Sequence, residues 1–258
     1  MKMKGLLMAT KEVDIKELLA AGAHFGHKTS RWHPKMAPYI YSVQAGGHII
    51  NLTKTVEALG PALEFISQVA GSGKQILLVS TKRQAKDIVK QLAEDTNMPY
   101  VTERWLGGML TNWSTIGARI KHLKDIEARM ASGELANNYS KLEVQRYQEE
   151  IDQMNQIYAG IKNLNNQPGA VFIVDIIHDS NAVNEARKLN IPLVALVDSN
   201  GDPTRITYPI PCNDDAIKTI DLIAQYVKQA IKLGQSRVKT AEPNKTVVAK
   251  EGKIENER

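Results

Sequence analysis

The chain has one cysteine, Cys212, and aromatic residues make up only 5% of its 258 positions. A single cysteine excludes an internal disulfide and any four-cysteine zinc site, and it fits a reducing cytoplasm. With so few rings, the core must be aliphatic. No run approaches the roughly 20 apolar residues that cross a bilayer. Residues 1–10 start basic, but their apolar run is too short for a secretory signal. What remains is a hydrophobic fraction of 43% and a charged fraction of 24%, the balance of a globular protein with one or two domains.

Acidic residues are also missing where it matters. Between Leu18 and Val56 there is no Asp or Glu, while Lys28, Arg31, Lys35 and Lys54 stand among Trp32, Tyr39 and Tyr41. Four of the six histidines fall in the same stretch. Basic groups interleaved with rings suit a phosphate backbone and exposed bases; the alternative is a loop whose charges face water. A second such run is Arg104-Trp105-Leu106-Gly107-Gly108-Met109-Leu110-Thr111-Asn112-Trp113, with no acid until Asp125 and with Arg119, Lys121 and Lys124 following. Gly-Gly permits a sharp bend or a close approach. Its tryptophans either stack on bases or enter the core.

Catalytic signals are weak. Gly71-Ser72-Gly73-Lys74 imitates a phosphate loop, yet Gln75 replaces the Ser or Thr and the run precedes a strand instead of following one. Backbone amides then cannot point at phosphate from a helix start, so the run reads as a helix stop and turn. His24, His27, His33 and His48 lack nearby partners for a metal set. Asp175, Asp198 and Asp202 lie at or past predicted strand ends, where a cation is the minor reading and turn chemistry the main one. No nucleophile elbow occurs, and Cys212 lacks any activating neighbour. No cofactor is expected.

Apolar runs at 75–79, 170–174 and 193–197 read as strands covered on both faces. Helices are expected at 53–69, 84–94, 181–189 and from Asp214 to about Lys232, with short strands at 39–41, 48–52 and 100–101 and a loop over 22–38. The alternation predicts an α/β domain, Rossmann-like or flavodoxin-like, with a mostly parallel sheet and helices on both faces. Residues 1–110 and 165–234 form this core. Residues 111–164 break the rhythm. Trp113, Ile116, Ile120, Leu123 and Met130, then Val144, Tyr147, Ile151, Met154, Tyr158 and Ile161, follow steps of three and four, interrupted at Glu127. They predict an inserted antiparallel coiled-coil hairpin that projects from the core. From 235 to 258 periodicity is lost, which predicts a flexible charged tail.

Taken in order, several segments resemble the bacterial small-subunit ribosomal protein S-two family. They are Gly22-Ala23-His24-Phe25-Gly26-His27, Trp32-His33-Pro34-Lys35-Met36, His48-Ile49-Ile50-Asn51-Leu52, Thr81-Lys82-Arg83, the 104–113 run, Ile191-Pro192, Asp198-Ser199-Asn200-Gly201-Asp202-Pro203 and Ile210-Pro211-Cys212-Asn213-Asp214-Asp215-Ala216. They extend from Leu18 to about Leu233. His33 and Cys212 depart from the family's usual Asn and Gly, and the tail after Gln235 is not covered. The resemblance implies a non-catalytic constituent of the small (30S) ribosomal subunit in the cytoplasm, between head and body on the solvent side and added late in assembly. It implies contact with ribosomal RNA and neighbouring ribosomal proteins, including the mRNA-binding protein S-one where present, and none with a membrane. Placement and resemblance together nominate Lys28, Arg31, Trp32, Lys35, Lys82, Arg83, Arg104, Asn112 and Arg119 for RNA. Two other readings are an enzyme binding a nucleotide or sugar phosphate on the same fold, and a coiled-coil adaptor without RNA.

Overall fold

A computed structural model describes residues 13–164 and 166–241. The basic opening at 1–10 and the end of the charged tail, 242–258, lie outside the described residues. After helix α1 (Ile15–Ala21), strands β1 (Phe25–Lys28), β2 (Ile40–Gln44) and β3 (Gly47–Ile50) form a small antiparallel sheet in the order β1-β3-β2. Strand β1 lies inside the segment expected to be a loop. Phe25-Gly26-His27-Lys28 carries no apolar alternation, and it is a strand because β3 pairs with it. The β2–β3 turn puts Ala45 at φ 48 and Gly46 at φ 76, the two left-handed positions of a tight hairpin. Asn51 caps helix α2 (Leu52–Gly71), which starts one residue before the expected 53: its side chain accepts from the Thr53 amide at 3.0 Å. The helix ends at Gly71-Ser72, and Gly73 turns the chain at φ +74 into the next strand.

The core alternates strand and helix: β4 (Ile76–Val79), α3 (Lys86–Thr96), β5 (Tyr100–Val101), then β6 (Ala170–Ile173), helix Ser180–Lys188, β7 (Leu193–Val197) and β8 (Tyr208–Pro211). These five strands pair in parallel in the order β5-β4-β6-β7-β8, which reverses direction between β4 and β6. That is the flavodoxin-like order. Strand β8 was not foreseen. Tyr208-Pro209-Ile210-Pro211 has two prolines, which only an edge strand tolerates because its outer amides need no partner.

The strand period of two divides the interior. Ile76, Leu78, Phe172, Val194 and Leu196 face α2, α3 and the C-terminal helix. Leu77, Val79, Val171, Ile173, Ala195 and Val197 face Ala182, Val183 and Ala186 of the Ser180–Lys188 helix and the inserted helices. Strands buried on both faces explain the continuous apolar runs.

Between β5 and β6 come α4 (Trp113–Ala131), α5 (Glu134–Asn138) and α6 (Lys141–Tyr158); the Ser180–Lys188 helix is then α7 and the last helix α8 (Ile217–Ala241). Helices α4 and α6 pack on each other, with Ile116, Ile120, Leu123, Ile126, Ile151 and Tyr158 buried. Their seam is continuous with the second sheet face. The link is the turn Ala159–Ile161 against β5, where a Cβ on Gly160 would run into the Tyr100 carbonyl. Glu127 interrupts the apolar pattern for a reason: its carboxylate accepts from Asn155 Nδ2 at 2.8 Å and from Lys162 Nζ at 2.7 Å. Helix α8 overruns its expected end. Gly234 lets it lie close on α2, where a Cβ would strike the Ser67 carbonyl, and Gln235 Nε2 donates to the Thr96 carbonyl at 2.7 Å. Residues 235–241, expected in a flexible tail, are therefore helical.

Candidate nucleic-acid interface

Because all five core strands run the same way, the residues that follow them gather on one edge. Lys82 and Arg83 follow β4, Arg104 follows β5, Asp175 follows β6, Asp198 and Asp202 follow β7, and Asp214 follows β8. The N-terminal segment is tied to this edge. His27 donates its amide to Ser199 Oγ at 2.8 Å, His33 donates to the Ser199 carbonyl at 2.8 Å, and Asn213 donates to the Ala23 carbonyl at 3.0 Å. Gly26 passes so near Ser199 that a Cβ would lie 2.8 Å from Oγ. Lys28, Arg31, Trp32 and Lys35 are thereby brought beside the strand ends, all exposed. The Trp32 ring packs on His48 with centroids 5.1 Å apart. Lys35 reaches back to Asp202 at 2.8 Å and to Thr204 Oγ1 at 2.8 Å. Phe25, His27, Lys28 and Arg31 help line a concave pocket of about 420 Å³ with Asp198 and Asp215.

Open α/β sheets bind ligands in the crevice outside the strand ends where the order reverses. Here that crevice, between β4 and β6, is closed by the protein itself. Lys82 Nζ lies 3.1 Å from Asp175, 2.7 Å from Asp214 and 2.8 Å from Asp215. Thr81 donates its amide to Asp179 at 3.1 Å and its hydroxyl at 2.6 Å. The Asp179 carboxylate, just before α7, is taken up by Thr81 and makes no cap hydrogen bond to the amides of that helix. Burial lowers the Lys82 pKa, but the three carboxylates outweigh it and hold the ammonium charged. Burial, with Asp175 and Asp198 nearby, raises the Asp214 carboxyl to about 7. Asp198 raises His27, whose Nδ1 lies 3.2 Å away. Lys82 is therefore an internal cation, unlike the exposed Arg83 beside it.

The carboxylates expected as a minor cation set do not assemble. Asp175 is bound to Lys82 and Asp202 to Lys35. Only Asp198 belongs to a group with ligand spacing, and its companions are His27 and Asp214, whose ligand atoms all lie within 4.8 Å.

The 104–113 run adopts a loop that leads into α4. Trp105 is buried and Trp113 half-buried, so these rings pack. Glu185 of α7 organises the loop. It accepts from Trp105 Nε1 at 3.0 Å, from the amides of Gly108, Leu110 and Thr111 at 2.7, 3.0 and 3.0 Å, and from Thr111 Oγ1 at 3.1 Å. Gly108, at φ +89, supplies the bend, while Gly107 is open to its surroundings. Burial raises Glu185, but these donors prevail and keep its pKa below the ordinary glutamate value. The charged and polar residues of the run face outward: Arg104, Thr111 and Asn112 are exposed, as is Arg119 one turn and a half into α4. Asn112 is the N-cap of α4 by its carbonyl alone; its Oδ1 accepts from the Ser114 and Thr115 hydroxyls instead of a backbone amide.

Glu185 and Asp179 carry no signal in the sequence, since each is defined by a partner far away in the chain, and Glu127 shows there only as a break in the apolar pattern. For Asp214 a signal existed, the Asn-Asp-Asp run itself. A family model described as Ribosomal protein S2 matches residues 18–234. Relatives named small ribosomal subunit protein uS2 align along most of the chain. That of Chloroflexus aggregans is 47% identical over 225 residues, 87% of this chain and 94% of its own. That of Roseiflexus sp. (strain RS-1) is 45% identical over 229 residues, 89% and 87%. The Fusobacterium nucleatum protein is 41% identical over 244 residues, 94% and 99%. With its motifs in order and its length matched nearly end to end, the chain belongs to the ribosomal protein S2 family.

Proposed function

We propose that this protein is a structural constituent of the small ribosomal subunit that holds ribosomal RNA at the carboxyl edge of its sheet. One observation carries the reading. Lys28, Arg31, Arg83, Arg104 and Arg119 are exposed, and the four that precede α4 sit in segments gathered at one edge. Trp32 adds an exposed ring for stacking on an unpaired base. Lys35 contributes after exchanging Asp202 for phosphate, and Asn112 offers an amide at the mouth of α4. Lys82 is left out of the contact set, since three carboxylates hold it. Neighbouring ribosomal proteins, including the mRNA-binding protein S-one where present, complete the set of partners implied by the family. Catalysis plays no part in this reading: the chain belongs to a family of structural ribosomal proteins, and Lys82 with its carboxylates takes up the crevice between β4 and β6.

The test is binding to small subunits depleted of this protein, measured across salt. Affinity should fall linearly in log–log form, and each of Arg31, Arg83 and Arg104 replaced by methionine should lower the slope by about 0.7–0.9 through lost counterion release. A flat salt response would overturn the reading.

A further inference from the structure

Glu185 has a role that composition and family resemblance leave unassigned. It stands on α7, in chain order far from the loop it holds, and it accepts from five donors that all belong to residues 105–111. Three are backbone amides of a loop that is neither helix nor strand, so within the protein these groups have no ladder to join. The carboxylate is half-buried, and N–H and O–H donors rather than a cation balance it. A phosphate would be repelled by such a group, so Glu185 does not itself contact RNA. It sets where its neighbours point. Arg104 lies immediately before the first donor, Asn112 immediately after the last, and both are exposed. Gly108 turns left-handed at φ +89 and brings its amide to 2.7 Å from Oε1.

We infer that Glu185 is the positioning residue of the RNA-binding loop: by gathering the amides of Gly108, Leu110 and Thr111 and the Trp105 indole, it presents Arg104, Asn112 and the start of α4 in one fixed arrangement before RNA arrives. The inference rests on the RNA-binding reading above. Its physical content is preorganisation. A loop already ordered loses little freedom on binding, whereas one that must be ordered by its ligand costs affinity. The number of phosphates neutralised is the same in both cases. A positioning residue therefore changes affinity and leaves the salt slope alone, while a contact residue changes both.

The experiment compares Glu185→Gln, Trp105→Phe and Arg104→Ala in full-length protein. Small subunits depleted of the protein serve as the probe, at several salt concentrations. Amide hydrogen exchange is followed in the free protein. In Glu185→Gln one acceptor oxygen becomes an NH2 that faces other N–H donors. We expect the amides of Gly108, Leu110 and Thr111 to exchange faster, those of β4 and β6 to stay protected, and Kd to rise about tenfold with an unchanged slope, the cost of ordering one or two side chains on binding. Trp105→Phe removes one donor and keeps most of the packing; it should show the same pattern with a rise of about two- to threefold, and it decides the matter if Glu185→Gln does not fold. Arg104→Ala should lower affinity and slope together. Faster loop exchange with unchanged affinity in the glutamate or tryptophan variant would overturn the positioning role while leaving RNA binding intact. An Arg104→Ala variant with unchanged affinity and slope would instead remove the RNA-binding reading of the loop.

Discussion

The segment around Trp32 and the segment around Trp105 share one local chemistry and fold to opposite ends. Residues 26–36 and 104–113 are free of acid, both runs set a tryptophan directly after an arginine, and both contain glycine. Trp32 is 39% exposed and rests on His48, whereas Trp105 is 7% exposed and ties its indole N–H to Glu185. The difference lies in distant partners. Residues 25–35 are laid across the loop after β7, which holds their backbone and leaves their side chains outside. Residues 105–111 close around a carboxylate from α7, which draws the ring inward and leaves the flanking Arg104 and Asn112 exposed. An arginine–tryptophan pair therefore marks an interface only through its basic member until the long-range partner is known.

The comparison breaks most plainly in stability. Trp105→Ala should cost about 3–5 kcal/mol in urea unfolding, as for other buried large aromatics. Trp32→Ala should cost less than about 0.5 kcal/mol, as for most surface positions. A second contrast, between adjacent residues, sharpens the same point. Lys82→Met strands Asp175 and Asp214 without their cation and should destabilise by about 3–5 kcal/mol. Arg83→Met should leave stability within about 0.5 kcal/mol and lower the affinity and the salt slope of subunit binding together.

Most of the core is legible in the sequence, for a physical reason. Strands β4, β6 and β7 are buried on both faces and must be continuously apolar, so they announce themselves. Strands β1 and β8 do not, because Gly26 and His27 break any apolar alternation in one, and the two prolines of the other fit only a sheet edge. The hairpin helices follow their apolar spacing, yet Ile126 is buried where Glu127 breaks the pattern, and Glu127 is explained only by Asn155 and Lys162 across the arm. Helix α8 runs past its last periodic residue because Gly234 and Gln235 find partners on α2 and α3. Among the site residues, exposure of Lys28, Arg31, Arg83, Arg104 and Arg119 agrees with their basic, acid-poor setting, while the burial of Lys82 depends on three carboxylates spread from 175 to 215.

Smaller effects follow. Removing the hairpin, by replacing 112–163 with a short Gly-Ser linker, should leave a cooperatively unfolding α/β domain and weaken subunit binding through loss of Arg119 and Lys121. The continuity of its seam with Leu77 and Val171 means that the midpoint should fall while cooperativity is kept, which calorimetry can check. The least effect concerns acid. Burial pushes the Asp202 carboxyl up, but Lys35 and Thr204 outweigh it and hold it at about 2. A carboxyl depressed by folding stabilises fully above its ordinary value of 3.8 and loses that contribution as pH falls through about 2. Lys35→Met should weaken this step in an acid titration of stability.

The central claim is that RNA lies along the carboxyl edge, against the exposed cations and not against the internal ones. Ultraviolet cross-linking of intact small subunits, with adducts mapped by mass spectrometry, tests it most directly. Cross-links should fall at 28–36, at 83 and 104, and at 111–119, with none at Trp105 or Lys82. Cross-links concentrated on the exposed faces of α3 and α8, with the 28–36 segment and Arg104 untouched, would contradict the account.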